Sequence, residues 1–361
     1  MRRKISSDDL LKYKTFKDQK DFFNCIIQDI KNAKKYIYIE TFRFSGGITG
    51  KEVRDELIKK AKEGVEIKLL IDHWGSMVKR EFFSELLEHK AELIFFRKFK
   101  ITSNFVKYNN RRDHRKIIVI DDKIVYIGSS NITEHSLDWR EFNLRIVGLI
   151  AGIFKDIFLD NCKLYNDYFH DKRSHIFPLT YGSFEIVRDV PSLKYRMIRR
   201  KLMELIYSAK KEILLETPYF VPDYLFIHAL NLAAKRGVKI TLIIPKDSDS
   251  KVVDMMTSSY LGALHKKNVH VKYYAKHFLH AKVAIIDNVA TTGSANLDHR
   301  SFSYMYEINL FSNNKKFRDI LRKHIDETLK DAEDFNYEIW RRRSILRKIC
   351  EVLLRPFRTF M

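Results

Sequence analysis

Apolar residues recur along this chain with two alternating periods. YIYIETF (36–42), EIKLLID (66–72), EILLETP (212–218) and KITLIIP (239–245) are near-continuous runs of aliphatic, β-branched and aromatic residues. Such runs predict strands buried on both faces. Between them, IIQDIKNAKK (26–35), GKEVRDELIKKAKEG (50–64), MELIYSAKK (203–211) and YLFIHALNLAAKRG (224–237) space their apolar residues three and four apart. That spacing predicts helices, two of them stopped by Gly64 and Gly237. Strands alternating with helices predict an α/β fold built around mixed sheets.

The pattern also repeats. NAKKYIYIETFRF (32–44) matches SAKKEILLETPYF (208–220), AKEGVEIKLLID (61–72) matches AKRGVKITLIIP (234–245), and HRKIIVID (114–121) matches HAKVAIID (280–287). The three pairs keep their order at offsets of 176, 173 and 166 residues, as two copies of one domain with slightly different loops would. This predicts two duplicated lobes, each a mixed sheet flanked by helices. Residues 1–15 are expected as an N-terminal tail, 16–175 and 176–335 as the lobes, and 336–361 as a C-terminal helix. The connection is placed near DKRSHIFPLTYGS (171–183), where polar residues, Pro178 and Gly182 break the periodicity.

Composition narrows the partners. The 361 residues carry a formal net charge of +21, which points to nucleic acid or an acidic membrane face. Three cysteines with no CxxC pair exclude a disulfide framework and a cysteine-rich zinc module, and fit a reducing compartment. The 13 histidines include no HExxH, so no metal site and no cofactor are expected. The N-terminus lacks the apolar stretch of a signal peptide, and GLIAGIF (148–154) falls far short of the ~20 residues of a spanning helix. No segment is expected to cross a membrane.

The candidate chemistry lies in the repeated stretch. On a strand, His114 and Lys116 share one face, as do His280 and Lys282. Asp121 and Asp287 fall in the following turns and read as structural. The chain returns through Gly128 and Gly293 and delivers Ser129 and Asn131, or Ser294 and Asn296, beside each pair. An imidazole, a fixed cation and small hydrogen-bonding groups suit a phosphodiester. Lysine and asparagine stabilise charge on the non-bridging oxygens, the serines bind phosphate, and histidine attacks phosphorus or moves a proton. Displacing an alcohol takes a nucleophile and an acid on opposite sides of phosphorus. Two lobes related by a pseudo-twofold, with one shared active site, supply both. Past each asparagine, Glu141 in REFNLRI and Glu307 in YEINLFS are candidates to set a histidine's tautomer.

Two H-x-K-x4-D motifs, each followed by G-S-x-N, resemble the hallmark of the phospholipase D superfamily over roughly residues 16–335. RRDHRKIIVID (111–121), ETPYFVPD (216–223), FLHAK (278–282) and GSANLDHRSF (293–302) look like bacterial cardiolipin synthases, of a shorter kind without N-terminal membrane helices. The resemblance implies phosphatidyl transfer through a phosphohistidine to the hydroxyl of a second phospholipid such as phosphatidylglycerol, without a metal. It implies that His114 is the nucleophile and that His280 protonates the departing glycerol. The residues alone leave those two roles interchangeable. Anionic phospholipids, phosphatidylglycerol and cardiolipin, are then the expected partners. The alternative is a phosphodiesterase or nuclease acting on nucleic acid or hydrolysing phospholipid. Nucleic acid is disfavoured, because nucleases of the superfamily are often one-motif chains that pair as dimers.

NYEIWRRRSILRKICEVLLRPFRTFM (336–361) offers a route to lipid. Ile345, Leu346, Ile349, Val352 and Leu353 fall on one helical face, Arg347, Lys348 and Arg355 largely elsewhere, and Pro356 ends the helix. Trp340, Arg341, Arg342, Arg343, Ile345, Ile349 and Leu353 are the expected membrane contacts, at the cytoplasmic face of the cell membrane.

Overall fold

In a computed structural model of the chain, residues 7–76, 78–96, 109–164, 177–354 and 356–357 are described. The expected lobe boundary at 175/176, and Arg355 of the C-terminal stretch, lie outside them. The first lobe holds a seven-stranded mixed sheet. Its strands run, edge to edge, Lys12–Lys14, Asn143–Val147, Ile124–Gly128, Ile117–Ile120, Tyr36–Thr41, Glu66–Asp72 and Glu92–Phe96. The last three are mutually parallel and the other pairings are antiparallel.

The second lobe repeats this order and these directions. Phe184–Asp189, Met305–Ser312, Val289–Gly293, Val283–Ile286, Glu212–Glu216, Lys239–Pro245 and Val269–Tyr274 occupy the corresponding places. Residues 12–14, set apart above as tail, close the first sheet as an edge strand against Asn143–Val147. Their alternation of Lys with Tyr13 suits an edge with one wet face.

Period two is what builds both cores. Ile37, Ile39, Ile118 and Ile120 point to the outer face of the first sheet, under the helices Gln19–Asn32 and Ile48–Lys62. Tyr36, Tyr38, Ile117 and Val119 point inward. That inner face meets the helix Ile150–Leu164, whose first turns take up the GLIAGIF run, and the inner face of the second sheet (Val283, Ile285, Ile308, Leu310) with its helix Lys315–Lys330. One apolar core thus spans both lobes and fastens them face to face. The predicted helix stops hold: the helices end at Lys62 and Lys235, and Gly64 and Gly237 follow at φ +85° and +84°.

Each motif hairpin is pinned by its aspartate. Asp121, at φ +55°, accepts backbone N–H groups of Lys34, Lys35 and Tyr36 at 2.6, 2.7 and 3.0 Å. Asp287 does the same for Lys210, Lys211 and Glu212 at 2.8, 2.9 and 2.9 Å. These bonds tie the turn to the helix–strand junction of the same lobe. Asp121→Ala removes three charge-assisted bonds and leaves a β-carbon in the left-handed region. A loss of about 3 kcal/mol is expected, read as a lower urea midpoint. An unchanged midpoint would mean that the turn is held by other contacts.

Candidate active site

Both motif histidines stand at the seam between the lobes, ahead of the strands predicted to carry them. The ladders begin only at Ile117 and Val283, because the preceding residues pair with the other lobe. Arg112 and Asp113 run parallel to Met305 and Tyr306, and Leu279 bridges to Arg140. The His114 N–H donates to the Tyr306 carbonyl at 3.0 Å, and the His280 N–H to the Arg140 carbonyl at 2.8 Å.

The residue after each of those carbonyls is the candidate glutamate. His114 Nδ1 lies 3.0 and 3.1 Å from the two carboxylate oxygens of Glu307, and His280 Nδ1 lies 2.8 Å from Glu141 Oε1. Each histidine is therefore held, backbone and ring, by two successive residues of the opposite lobe. With Nδ1 bound to a carboxylate, Nε2 is the nitrogen left for chemistry. The lysines fold back over their own motifs: Lys116 Nζ donates to the His114 carbonyl at 2.5 Å, and Lys282 Nζ to the His280 carbonyl at 2.7 Å.

Both rings line one cleft of about 420 Å³, together with Asn131 and Asn296. Phe42 and Trp139 wall it, 5.2 Å from His114 and 5.1 Å from His280, and Phe278 lies 5.8 Å from His280. Asn131 Oδ1 accepts the Arg43 N–H at 3.2 Å, which leaves its amide nitrogen to the cleft. Among the described residues no group of three or more His, Cys, Asp or Glu is arranged to hold a metal ion.

Burial dominates the electrostatics. It pushes His114 down to about 4; the Glu307 carboxylate pulls the other way and the ammonium groups of Lys116 and Lys282 add to the fall. His280 is lowered for the same reasons, with Glu141 as the opposing charge. Burial also lowers Lys116 to about 7 and Lys282 to about 8, against the pull of the glutamates. Burial acts to raise Glu307 and Glu141, but the imidazoles and lysines hold both below the usual carboxylate range. The resulting cluster has neutral imidazoles, ionised glutamates and two strongly desolvated lysines, which lie behind the cleft lining.

The serines of the two motifs lie elsewhere than expected. Ser129 and Ser294 are fully buried and do not line the cleft. The Ser129 hydroxyl donates to the Phe142 carbonyl at 3.1 Å and accepts the Phe142 N–H at 3.0 Å. The Ser294 hydroxyl donates to Glu307 Oε2 and accepts the Ile308 N–H at 3.0 Å. Gly128 and Gly293 allow this close approach: a β-carbon there would lie 2.4 and 2.1 Å from the carbonyls of Phe142 and Ile308. The asparagine of each E-x-N-L completes the turn, Asn143 Oδ1 accepting the Ser130 N–H at 3.1 Å and Asn309 Oδ1 the Ala295 N–H at 3.2 Å. Sequence reasoning used only the glutamate of that motif, although its repetition marked the asparagine equally. Ser301, which donates to Glu307 Oε1 at 2.6 Å, was missed, and nothing in its spacing announces it.

The C-terminal stretch forms two short helices, Tyr337–Arg341 and Ile345–Leu354, where one was expected. Trp340 and Arg343, named above as membrane contacts, turn inward. Trp340 Nε1 donates to the Ser258 carbonyl at 2.9 Å, and Arg343 spans Trp340 and Glu351, with its guanidinium 3.7 Å from the indole centroid. Arg341, Arg342, Ile345, Ile349 and Leu353 are exposed.

Residues 26–152 and 202–329 each match the family model described as "Cardiolipin synthase, PLD-like domain". Over 360 residues the chain is 32 % identical to a cardiolipin synthase of Clostridium perfringens, covering 94 % of this chain and 74 % of that protein. It is 31 % identical to the major cardiolipin synthase of Bacillus subtilis, covering 94 % of this chain and 73 % of that one. The chain belongs to the phospholipase D-like cardiolipin synthase family. Its fold also matches the crystal structure of a phosphatidylserine synthase from Haemophilus influenzae, at a TM-score of 0.75 and 14 % identity over 97 % of this chain and 95 % of the other. Both family-model segments contain one whole H-x-K-x4-D motif with its G-S-x-N return.

The cross-lobe carboxylates generate a direct prediction. Glu307→Gln offers His114 an amide that neither fixes the tautomer nor balances an imidazolium. Phosphodiester turnover should fall about 10⁴-fold, as it does when the carboxylate of a comparable His–carboxylate pair is made an amide. The unfolding midpoint serves as the control for folding. A loss below about tenfold would assign Glu307 to packing alone.

Proposed function

We propose that the chain is a cardiolipin synthase-type phosphatidyltransferase that joins two phosphatidylglycerol molecules through a phosphohistidine. The observation that carries this reading is the single cleft holding two histidines, each backed by a carboxylate of the other lobe. The entering phosphodiester anion favours a proton on His280 Nε2 opposite Glu141; His114 Nε2 attacks the phosphorus, the phosphorus–oxygen bond to glycerol breaks, and the His280 imidazolium gives that proton to the departing oxygen. A second phosphatidylglycerol then enters. Its hydroxyl yields a proton to His280, its oxygen bonds phosphorus, and the phosphorus–nitrogen bond breaks to release cardiolipin and restore both histidines. Lys116, Lys282, Asn131 and Asn296 are assigned to the non-bridging oxygens, whose negative charge favours the charged form of the two desolvated lysines. Ser129 and Ser294 are assigned to fixing the strand that carries each glutamate.

One asymmetry favours this order of histidines beyond the family resemblance. The Glu307 carboxylate shares its charge with the hydroxyls of Ser294 and Ser301, which weakens its pull on a proton at His114 and suits a neutral nucleophile. Glu141 has the Ser129 hydroxyl in the place of Ser294, but Ser136, in the place of Ser301, donates to the Thr133 carbonyl instead, so Glu141 keeps more of its charge for a protonated His280. The test is incubation of the purified chain with phosphatidylglycerol vesicles and mass spectrometry of the lipids. Tetra-acyl product is expected, and none from His114→Ala or His280→Ala. Cleavage of an oligonucleotide with no lipid product would replace this reading with a nuclease.

Access to lipid is assigned to the helix Ile345–Leu354, lying on the cytoplasmic face of the membrane. No helix among the described residues is long and apolar enough to cross a membrane. Ile345, Leu346, Ile349, Val352 and Leu353 are 50–75 % exposed, whereas Glu351 on the same helix is buried against Ser258 and Arg343. The helix is thus docked by its acid and presents its apolar side outward. Leu354, on the docked side with Glu351, packs in a cluster with Val221 and Val253, which line the catalytic cleft, so the helix stands beside the cleft. Replacing Ile345, Leu346 and Leu353 together by Asp should reduce pelleting with phosphatidylglycerol liposomes about tenfold or more, without lowering the unfolding temperature. Undiminished pelleting would place the membrane contact elsewhere.

A further inference from the structure

The catalytic groups obey the pseudo-twofold, but the walls of their cleft do not. Counting from the paired glycines Gly128 and Gly293, Arg300 corresponds to His135 in the first lobe. Arg300 lines the cleft, whereas His135 is exposed outside it. In the same way Trp74 corresponds to Asp247, counting from Ile71 and Ile244, and Arg43 corresponds to Tyr219, counting from Phe44 and Phe220. These three departures from symmetry come together. The Arg300 guanidinium lies 5.8 Å from the Trp74 ring, and Arg43 Nε donates to the carbonyl of Gly75, the next residue, at 3.0 Å. Two cations and an indole face therefore form one flank of the cleft, contributed by both lobes. The symmetry-related flank carries Tyr219, whose hydroxyl donates to Asp249.

Arg300 is poised for an anion. Among the described residues its buried Nε has no hydrogen-bond partner. The two nearby carboxylates are engaged with backbone. Asp298 accepts the Ser301 N–H at 2.7 Å, and Asp72 accepts the N–H groups of Trp74, Gly75 and Asp113, each at 2.9 Å. A guanidinium without an oxygen partner beside the reaction centre implies one supplied by substrate. The reacting phosphodiester already has Lys116, Lys282 and the asparagines.

We propose that Arg300, with Arg43 and the face of Trp74, forms a second phosphate subsite. It holds the non-reacting phosphodiester of the acceptor phospholipid while that lipid's hydroxyl is delivered to the phosphohistidine. This rests on the transfer reading above and adds to it what distinguishes acceptor from donor. In the step concerned, the acceptor oxygen bonds phosphorus, its proton passes to His280 and the phosphorus–nitrogen bond to His114 breaks. The second phosphate keeps its charge throughout, so the subsite contributes position, not transition-state charge.

The test sets two acceptors in competition on the full chain: phosphatidylglycerol, which carries a phosphate, and isotopically labelled glycerol, which does not. Phosphatidyl transfer to the first gives cardiolipin, and to the second gives labelled phosphatidylglycerol. Arg300→Gln should lower the ratio of cardiolipin to labelled phosphatidylglycerol about tenfold or more, and Arg300→Lys should recover part of it. The subsite is overturned if both products fall by the same factor, which would assign Arg300 to the reacting phosphate or to folding, or if the ratio does not move. A wild-type chain that makes labelled phosphatidylglycerol but no cardiolipin would instead overturn the reading that a second phospholipid is the acceptor.

Discussion

The two-way exchange between the lobes at residues 114, 140–141, 280 and 306–307 is the constraint on which the site depends. Each histidine takes a carbonyl from one residue of the opposite lobe and a carboxylate from the next. Adjacent residues on one strand cannot drift apart, so the ring is oriented as soon as the backbone bond forms. Neither half is complete alone. Parting the lobes would strip both imidazoles of their carboxylates together and leave neither ring oriented. The apolar core shared by the inner faces of both sheets is what stabilises the closed arrangement.

That closure also explains the electrostatics. Four ionisable side chains and two imidazoles are packed where water is largely excluded, and each lysine feels the glutamate of both lobes. Opposite charges are balanced across the seam, and the balance still leaves the lysines depressed. In the proposed reaction an incoming phosphodiester anion would relieve that depression, coupling substrate binding to charging of the site. The orienting carboxylates differ in how fully they are satisfied: each has its motif serine, but Glu307 alone also accepts from Ser301. Duplication supplied two equal halves, and a small polar neighbour outside the motifs made them unequal.

The same division appears at the cleft walls and at the C-terminus. Residues shared by the repeats are those proposed for chemistry on phosphorus, whereas Arg43, Trp74 and Arg300 break the symmetry and give the cleft a cationic flank. The helix Ile345–Leu354 inverts the usual amphipathic arrangement of a surface helix, an acid inside and aliphatic residues outside, and stands against the wall of that cleft. On the proposed reading, the formal charge of +21 would supply a general attraction to anionic lipid and this helix the side presented to it.

Much of this was legible in the residues alone. Buried strands, amphipathic helices and their glycine stops are written in local periodicity, and the duplication in three ordered matches. The motif residues announce themselves because chemistry demands fixed residue types at fixed spacing. Tertiary structure alone decided which glutamate serves which histidine, because that pairing depends on contacts about 140 and 190 residues apart in the chain, which no local period encodes. It also decided that Ser129 and Ser294 face the strand behind them, that Trp340 and Arg343 turn inward onto Ser258 and Glu351, and that Lys12–Lys14 joins a sheet. A residue's type states what it is able to bond. Only the closed fold, by bringing one partner near and keeping the others away, selects the bond that it makes.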